Sequence, residues 1–354
     1  MNKILVAGAG GPASEGVIKS LLQSSSKFEI IGIGSELSDL AVSDAPKKYL
    51  IPEASDVNYL SELEKIINKE KPNFIHAQND REVLEISKYR NQIHKLGVKT
   101  FLPEHSVVST CINKWETYLA FEKNKIKVPK NIFINNEDDL RNAFETIAKE
   151  GKIWLRSNSI GGGGIGSLPT DDFVFAKKWI DTHNGWGNFL AAEILNKETV
   201  TWLSIWYEGN LVVAQSRKRG GWVHGNRTLS GITGVTKIGQ TTSNNLVNEV
   251  AIKSIKAVTD TPNGIFGVDM AYDDTGIPNP TEINIARFFT TILFFTSCGL
   301  NMPEIYVNIG LTKRNDYGVN VINPLPEGLL WFRGMDHEPI LLDENKLLNL
   351  IEKI

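Results

Sequence analysis

The sequence predicts an open parallel α/β sheet at the N-terminus, followed by a larger α+β region of antiparallel strands and helices. Two observations support this fold class. Up to about residue 105, short apolar runs alternate with amphipathic helical stripes, which is the pattern of parallel βαβ units. Beyond that point, strand-like runs follow one another with glycine-containing turns between them. A chain of 354 residues is long enough for two or three packed units.

The N-terminal elements follow from the apolar pattern. KILVA is predicted to be a buried strand, and a glycine turn at residues 8–11 leads into a helix. The inward side chains of that helix are Val17, Leu21 and Leu22. FEIIGIG is the second strand, and NFIHAQ and KTFLP are two further short strands. The helix before NFIHAQ ends ahead of Pro72, and its apolar stripe consists of Leu60, Leu63, Ile66 and Ile67.

The second region begins with a predicted helix over residues 107–127, followed by a strand in KVPKNIFI and a helix in DDLRNAFETIAKEG. Strands are then predicted in KIWLRS, NFLAAEIL, TVTWLSIWY and NLVVAQSRKR, the last two joined by a turn at residues 208–210. LVNEVAIKSIKAVTD is a helix, and GIFGVDMAYDDTGIPNPTEINI is a hairpin. The tail after Thr312 is less regular and ends in a short helix, ENKLLNLIEKI.

Composition limits the function classes. Lys and Arg total 38 against 41 Asp and Glu, a net charge of -3, which gives no electrostatic reason to expect a nucleic-acid partner. The two cysteines lack a C-x-x-C spacing, which fits a reducing compartment. No apolar run approaches the ~20 residues that span a bilayer. We expect a cytoplasmic globular protein without a membrane partner, and the sequence leaves its oligomeric state open, a homodimer included.

The hairpin carries the most specific candidate site. In PTEINIARFF, period-2 alternation puts Glu282 and Asn284 on one face and Ile283 and Ile285 on the other. The short turn brings Asp269 close to them. Such hard oxygen ligands suit Mg²⁺, with Mn²⁺ as the alternative metal. An exposed polar stripe is the other interpretation, and the apolar neighbours on both strands disfavour it.

A second candidate is the glycine-rich loop at residues 161–166, which lies between two predicted strands. Its backbone is suited to closing over phosphates, and Gly162, Gly163 and Gly164 are the candidate contacts. Arg156 precedes the loop on an apolar strand, so its guanidinium would reach the same phosphates. The alternative is a mobile surface loop beside a solvated arginine.

The first glycine cluster, at residues 8–11, is a weaker signal. It lies between a strand and a helix, where backbone N–H groups can bind an anion. It does not fit G-x-G-x-x-G, because Ala13 stands at the third glycine position and Pro12 lacks an N–H. A tight turn and a substrate contact both stay open. A nicotinamide-dependent oxidoreductase rests on this cluster alone.

A basic, aromatic loop follows the strand NLVVAQSRKR. Its cations and rings are Arg217, Lys218, Arg219, Trp222, His224 and Arg227. Cations over a site would bind an anionic substrate, so Arg219 is a catalytic candidate. His224 is a candidate general base, with a structural histidine as the alternative.

Four segments in this order resemble the ATP-grasp enzymes: INKWETYLAFEKNKIKVP, IWLRSNSIGGGGIGS, AAEIL and GVDMAYDDTGIPNPTEINIARF. The likeness is greatest to single-module relatives of the large subunit of carbamoyl-phosphate synthetase, and it covers nearly the whole chain. It implies a pre-ATP-grasp α/β domain at 1–105 and a two-subdomain ATP-grasp fold at 106–312. A flexible lid would span about 130–205, and a C-terminal extension would occupy 313–354.

The resemblance also implies roles for individual residues. Lys114 and Arg156 would contact the nucleotide phosphates. Glu193 would accept from the adenine amino group, and the Leu195 backbone would contact the base edge. The metal ligands would be Asp269, Glu282 and Asn284, and Arg287 would meet the transferring phosphate or the acyl phosphate. Two departures from the family stand out: the motif E-x-N-P-R is E-I-N-I-A-R here, and Glu198 or Thr199 stands where a ribose-binding acid is usual.

The implied activity is that of an ATP- and Mg²⁺-dependent ligase. It would activate a small-molecule carboxylate as an acyl phosphate and join it to an amine, releasing ADP and phosphate. One alternative is phosphorylation of bicarbonate or carbamate in the manner of carbamoyl-phosphate synthetase. Another is a non-catalytic ATP-binding protein with the same fold.

Overall fold

The computed structural model describes residues 1–158, 164, 166–334, 340–343 and 345–346. The N-terminal sheet is parallel throughout, with the order β3-β2-β1-β4. Its strands are β1 (Asn2–Ala7), β2 (Phe28–Gly34), β3 (Lys47–Leu50) and β4 (Phe74–His76). Its helices are α1 (Pro12–Leu22), α2 (Leu37–Val42), α3 (Tyr59–Glu70), α4 (Asp80–Lys88) and α5 (Arg90–Lys95). The predicted open parallel sheet is therefore confirmed.

Two details of the N-terminal prediction are wrong. KTFLP is not a strand, because only Lys99 forms an isolated bridge, with Phe74. The apolar side chains after it pack on aromatic rings instead: Phe101 is 1% exposed and stacks on Tyr306 at 5.2 Å between ring centroids. Leu22, predicted to face inward, is exposed because it is the last residue of α1.

The second sheet is small and antiparallel, with the order β5-β8-β6-β7. Its strands are β5 (Asn131–Ile134), β6 (Ile153–Ser157), β7 (Leu168–Thr170) and β8 (Phe189–Ala192). Helices α8 (Glu137–Thr146) and α9 (Phe173–Thr182) supply side chains to a separate apolar core with these strands. This core makes the small sheet a packed layer of its own.

The third sheet is the largest, with the order β13-β12-β9-β10-β11-β15-β16 and β14 paired with β10. Its strands are β9 (Thr199–Tyr207), β10 (Asn210–Arg219), β11 (Ile238–Thr242), β12 (Gly264–Tyr272), β13 (Pro278–Ile285), β14 (Val321–Ile322), β15 (Leu329–Phe332) and β16 (Ile340–Asp343). The remaining helices are α6 (His105–Ile112), α7 (Lys114–Lys123), α10 (Asn245–Val258), α11 (Ile292–Ser297) and α12 (Met302–Thr312).

The tail is more regular than predicted, because β14, β15 and β16 extend the large sheet. The predicted final helix at 344–354 falls mostly outside the described residues. Among the described helices, none combines the length and the apolar character that a membrane crossing requires.

The N-terminal glycine cluster is a tight turn whose N–H groups have acceptors within the protein. These are the Glu82 carboxylate for Gly8, the Ile33 carbonyl for Ala9, the Glu15 carboxylate for Gly10 and the Gly8 carbonyl for Gly11. Two side-chain carboxyl groups thus occupy donors that an anion would otherwise use. The turn interpretation is favoured, and the oxidoreductase alternative loses its only support.

Substitution of Gly10 tests this close packing. Gly10 has φ +92°, and a Cβ there would lie 2.0 Å from the Asp39 carbonyl oxygen. Gly97 is the matched control, because it has φ +85° and a Cβ there would have no described atom within 4 Å. We expect Gly97→Ala to cost about 1 kcal/mol from the left-handed backbone alone. Gly10→Ala should cost at least about 1 kcal/mol more because of the clash. Urea unfolding measures both, and equal losses would contradict the packing.

Candidate active site

A row of polar side chains crosses one face of the large sheet. Glu282 on β13 pairs with Asp269 on β12, Asp269 pairs with Thr201 on β9, and Thr201 pairs with Arg217 on β10. Directly paired residues project from the same face of a sheet, so this register aligns two carboxylates, a hydroxyl and a guanidinium. The predicted hairpin forms and places Asp269 directly opposite Glu282.

Asp269 is held by donors on three sides. Its Oδ1 accepts from the Thr201 hydroxyl and from Arg219, whose Nη2 is 3.4 Å away. Its Oδ2 accepts from Asn284 Nδ2 at 3.0 Å. Burial alone would raise the pKa of Asp269, but Arg219, Thr201, Arg217 and Asn284 outweigh it and hold the pKa below its usual range. Asp269 is therefore ionised at neutral pH.

Glu282 is the more open carboxylate, with 35% of its side chain exposed and Lys114 Nζ at 3.9 Å. Lys114 is the first residue of α7, and the Asn113 side chain caps that helix. Burial lowers the pKa of Lys114, as does Arg156 nearby, while Glu282 opposes the shift. Lys114 and Glu282 thus form a long ion pair at the edge of the site.

Arg156 joins the small sheet to the large one. From β6, its Nη1 donates to the Thr281 carbonyl at 3.1 Å and its Nη2 to Asn131 Oδ1 at 3.2 Å. Its Nε is buried and has no partner among the described residues. Burial lowers the pKa of Arg156, and Glu282 counters this. Lys114 and Arg156 therefore approach Glu282 as two cations, and their contacts to nucleotide phosphates stay predictions.

The donor set fits a magnesium ion in its chemistry. Two carboxylates and one carboxamide on paired strands supply hard oxygen ligands, and Glu282 is the ligand that has the fewest competing contacts. Asp269 and Asn284 are engaged by protein donors and acceptors, so a metal would share them. The described residues contain no group of three His, Cys, Asp or Glu that could hold a metal. The third ligand at this place would thus be the asparagine.

Arg287 reaches the site through an irregular backbone at the end of β13. Strict alternation would send Arg287 to the face of Ile285, away from Asn284. Ala286, however, has φ +56° and donates its N–H to the Ile265 carbonyl, which breaks the alternation. As a result, Arg287 Nη2 donates to Asn284 Oδ1. The inserted residue that separates this chain from the motif E-x-N-P-R therefore returns the arginine to the site face.

The acid that holds Arg287 is not among the residues predicted from the sequence. Asp80, at the start of α4, accepts from Arg287 Nε at 2.6 Å and from Nη2 at 3.4 Å. The Arg287 and Asp80 side chains are only 24% and 20% exposed. A signal was available: Asp80 follows a predicted strand at the carboxyl edge of a parallel sheet, where such sheets bind ligands. Burial lowers the pKa of Arg287, but Asp80 and the other acids outweigh it, so the pKa is raised.

Gln78 fixes the same segment through its backbone. Its Nε2 donates to the Phe288 carbonyl at 2.6 Å, and its Oε1 accepts from the Phe288 N–H at 3.3 Å. His76 Nε2 lies 2.5 Å from that Oε1, so a neutral ring with Nε2–H donating satisfies the oxygen. The loop between β4 and α4 therefore holds the backbone of Phe288, the residue that follows Arg287.

His76 makes the stability of this contact depend on pH. The ring is fully buried, and burial lowers its pKa to about 4, while the bond to Gln78 opposes the shift. Between pH 6.5 and 4 the unfolded chain binds a proton that the folded chain does not, so stability falls as the pH falls. From pH 6.5 to 5 we expect a loss of about 2 kcal/mol from this group. Urea unfolding at both pH values should show a smaller loss for His76→Phe than for the wild type; equal losses would contradict the buried neutral ring.

The predicted adenine contacts lie on the segment that links β8 of the small sheet to β9 of the large one. Glu193 exchanges two hydrogen bonds with Lys130: its N–H donates at 3.0 Å, and its Oε2 accepts from the Lys130 N–H at 2.8 Å. Leu195 is half-buried on the same segment. The structure thus places both residues at the junction of the two sheets, and their contacts to a base stay predictions.

The basic loop divides into a buried part and an exposed part. The Arg219 guanidinium stacks on Trp222 at 4.1 Å and donates to Asp269, so it belongs to the site. His224 is exposed and has φ +55° at the start of a 3₁₀ turn, Gly225–Arg227. Its role as a base stays a prediction.

Of the three glycines predicted to contact phosphates, Gly162 and Gly163 lie outside the described residues. Gly164 has φ +76°, and a Cβ there would lie 2.7 Å from Ile232 Cγ2. Ile232 belongs to the loop between β10 and β11. This part of the glycine-rich segment therefore packs directly on the loop that carries Trp222.

Comparison with known proteins decides the family. The sequence profile described as "ATP-grasp domain" matches residues 111–291, just over half of the 354-residue chain. The chain belongs to the ATP-grasp family. The matched segment contains every predicted phosphate, adenine and metal residue of the site, from Lys114 to Arg287.

Solved structures share the ATP-grasp fold over 94% of this chain. N5-carboxyaminoimidazole synthetase from Staphylococcus aureus, complexed with ADP, is 12% identical, with 82% of its chain covered and a TM-score of 0.70. The biotin carboxylase domain of 2-oxoglutarate carboxylase from Hydrogenobacter thermophilus, with MgADP and bicarbonate, is 14% identical, with 74% covered and a TM-score of 0.68. L-amino acid ligase from Bacillus licheniformis is 9% identical, with 79% covered and a TM-score of 0.66.

No curated protein sequence matches this ATP-grasp chain. At such low identities the structural matches establish the fold, and the predicted α/β sheet followed by an ATP-grasp fold is confirmed. The domain boundaries at 105, 130, 205 and 312 and the individual residue roles stay predictions.

Proposed function

We propose that this ATP-grasp protein is an ADP-forming ligase that activates a substrate carboxylate with ATP and joins it to an amine. The observation that carries the proposal is the convergence on one sheet face of paired acids and cations. Glu282 lies opposite Asp269, with Lys114 at 3.9 Å from Glu282 and Arg287 hydrogen-bonded to Asn284. Such an arrangement holds a metal and neutralises the charge of a transferring phosphoryl group.

Structural relatives support the nucleotide and the reaction class. One was solved with ADP, another with MgADP and bicarbonate, and a third is an L-amino acid ligase. We extend ATP and Mg²⁺ to this chain on the strength of its own donor set, with Mn²⁺ as the alternative metal. Small-molecule acids and amines are the proposed substrates.

Each residue has a separate task in this proposal. Lys114 and Arg156 bind the phosphates from the side of the small sheet. Asp269, Glu282 and Asn284 hold Mg²⁺, which when bound supplies Lewis-acid stabilisation of the phosphate charge. Arg287 faces the carboxylate and stabilises the acyl phosphate as it forms. Asp80 positions Arg287, since its carboxylate receives two guanidinium N–H groups.

The remaining candidates belong to the second half of the reaction. Arg219 lies between Asp269 and Trp222 and balances the negative charge of the acyl phosphate. His224 accepts a proton from the attacking amine. Gly164, with Gly162 and Gly163, covers the phosphates, and its contact with Ile232 links that cover to the substrate loop. Closing both segments together excludes the water that would hydrolyse the acyl phosphate.

The adenine site in this proposal lies at the junction of the two sheets, with Glu193 accepting from the amino group and the Leu195 backbone at the base edge. The lid of about 130–205 then contains the small sheet, β5 to β8. The pre-ATP-grasp domain at 1–105 contains the parallel sheet, and the extension at 313–354 adds β14 to β16 to the large sheet.

An ADP-release screen tests the function. The purified chain is incubated with MgATP, single acids from a panel of amino acids and small carboxylates, and an amine mixture that includes ammonia. We expect ADP formation that depends on one class of acid, and mass spectrometry should then detect an amide. ADP release with bicarbonate alone would favour the phosphorylation of bicarbonate. ATP binding by calorimetry without ADP release for any acid would favour a non-catalytic ATP-binding protein.

A further inference from the structure

Three guanidinium groups lie close together, and two of them act on Asp269. We call Arg217, Arg219 and Arg333 the arginine cluster. Arg217 on β10 is 1% exposed, and Arg333 follows β15. Among the described residues, Arg219 is the only member with an ion-pair partner, Asp269 at 3.4 Å. Three positive charges therefore share one carboxylate in the described part of the chain.

Apart from Asp269, the described side chains that accept from the cluster are hydroxyl groups. Arg217 donates to Thr201, Thr236 and Thr291, and Arg219 donates to Thr199 and Thr201. A threonine hydroxyl that accepts from arginine still has a proton to donate. Thr201 gives its proton to Asp269. The lining thus presents more donors than acceptors, which is the complement of an anion.

Some donors of the cluster are unused. Within the described residues, Nε of Arg217, Nε of Arg219 and Nη1 of Arg333 are buried without a hydrogen-bond partner. Buried charges and donors are costly when unpaired. Burial, together with the charges of Arg219 and Arg333, lowers the pKa of Arg217 to about 9, although Asp269 opposes the shift. An anion bound here would relieve both costs.

The cluster borders the segment that follows Arg287. Lys114 and Arg156 approach Glu282 on β13, whereas Arg333 follows β15, five strand positions away in the sheet. The Arg333 guanidinium nevertheless lies beside the segment that follows Arg287, since its Nη2 donates to the Thr290 carbonyl at 2.5 Å. Arg217 donates to Thr291 in the same segment. The cluster therefore lies along the segment that begins at Arg287, where the reacting carboxylate is proposed to bind.

We propose that the arginine cluster binds a second anionic group of the substrate, so that the substrate is a dicarboxylate or a phosphorylated carboxylate. This inference rests on the proposed function and adds the charge class of its acid substrate. The reacting carboxylate lies near Arg287, and the second anion lies against Arg219 and Arg333. Arg217 is almost fully buried and contributes its positive charge to the anion site.

Matched substrates test the proposal. ADP release is measured with L-aspartate against L-asparagine, L-glutamate against L-glutamine, and O-phospho-L-serine against L-serine. Each pair differs by the second anionic group, and the three pairs distinguish a carboxylate from a phosphate. We expect the charged member of one pair to have a kcat/KM at least about 10-fold higher, since a charge-assisted hydrogen bond is worth that much.

The matched variants are Arg333→Gln and Lys237→Gln. Lys237 is exposed, and its carbonyl accepts from the Arg333 N–H, so it controls for loss of a charge in the same strand pair. Arg333→Gln should raise the KM of the dianionic acid about 10- to 100-fold and leave the KM of ATP within about twofold. Lys237→Gln should change neither. Equal rates within every pair, with no effect of Arg333→Gln, would overturn the inference and leave the ligase function standing.

Binding provides a readout that does not need turnover. Calorimetry with succinate and with inorganic phosphate, in the presence of MgADP, is expected to show binding to the wild type that Arg333→Gln loses. If no acid releases ADP while one of these anions still binds through Arg333, the proposed function fails and the anion site stands. If neither anion binds the wild type and no acid pair shows a charge preference, the anion site is wrong.

Discussion

Glu282→Gln is expected to lower acid-dependent ADP formation more than about 100-fold. Of the proposed metal ligands, Glu282 has the fewest contacts with other protein groups that would compete with a metal. Its ion-pair partner is Lys114, whose Nζ lies 3.9 Å away. Glutamine keeps the size but removes the negative charge that a hard cation prefers. Even groups that only orient a metal ligand are worth about 10- to 100-fold, so loss of a ligand itself should exceed that range. Steady-state kinetics over a Mg²⁺ titration measures the effect.

The control for Glu282 is Glu249→Gln, an exposed position on α10. It should leave the rate and the Mg²⁺ dependence within about twofold, as expected for a surface substitution. Both variants should unfold at the wild-type temperature, since the Glu282 side chain is 35% exposed and such ion pairs contribute little. A Glu282→Gln enzyme with full Mg²⁺-dependent turnover would show that the metal lies elsewhere.

Asp80→Ala is expected to lower kcat about 100-fold, with the KM of ATP nearly unchanged. Asp80 is a positioning residue, because its carboxylate receives Arg287 Nε at 2.6 Å. Without it, Asn284 is the one side chain left, among those that the structure describes, that accepts from the guanidinium. A displacement of about 1 Å in a catalytic group costs about 100-fold in rate. A structural role would instead lower the amount of folded protein.

The matched control for Asp80 is Glu53→Ala. It removes the ion pair that Glu53 forms with Arg81, the residue after Asp80. The two charged groups are 2.7 Å apart, but the side chains of Arg81 and Glu53 are 50% and 55% exposed. Such an exposed pair is worth at most about 1 kcal/mol and should not change kcat. A double-mutant cycle completes the test: Asp80→Ala should add little once Arg287→Ala is present. An undiminished 100-fold effect in that background would contradict positioning through Arg287.

The sequence was sufficient to predict those parts of the fold and of the site that follow from local periodicity. Alternation on β13 placed Glu282 and Asn284 on one face, with Ile283 and Ile285 buried on the other. A short turn in the hairpin was enough to put Asp269 opposite Glu282. The parallel N-terminal sheet followed from alternating apolar and amphipathic segments. The hairpin depends on interactions within about 20 residues of sequence, whereas the parallel sheet was predicted from the pattern of its separate elements, since β1 pairs with β4 about 70 residues away.

The parts that were missed depend on contacts between distant segments. Asp80 and Arg287 are 207 residues apart, and no local pattern pairs them. Arg287 reaches the site because Ala286 adopts a left-handed conformation, which is uncommon for alanine and invisible to a period-2 count. Arg217 was recognised as part of a basic loop, although its almost complete burial, unusual for a charged residue, depends on Thr236 and Thr291.

The transfer of ¹⁸O from the acid tests the central claim most directly. The substrate found by the ADP-release screen is labelled with ¹⁸O in its reacting carboxylate, and the products are analysed by mass spectrometry. If the carboxylate attacks the γ-phosphate, one ¹⁸O atom moves to inorganic phosphate for each amide formed, and ADP is the nucleotide product. Release of unlabelled phosphate, or of AMP and pyrophosphate, would contradict an acyl phosphate formed at the face that Asp269, Glu282 and Arg287 share.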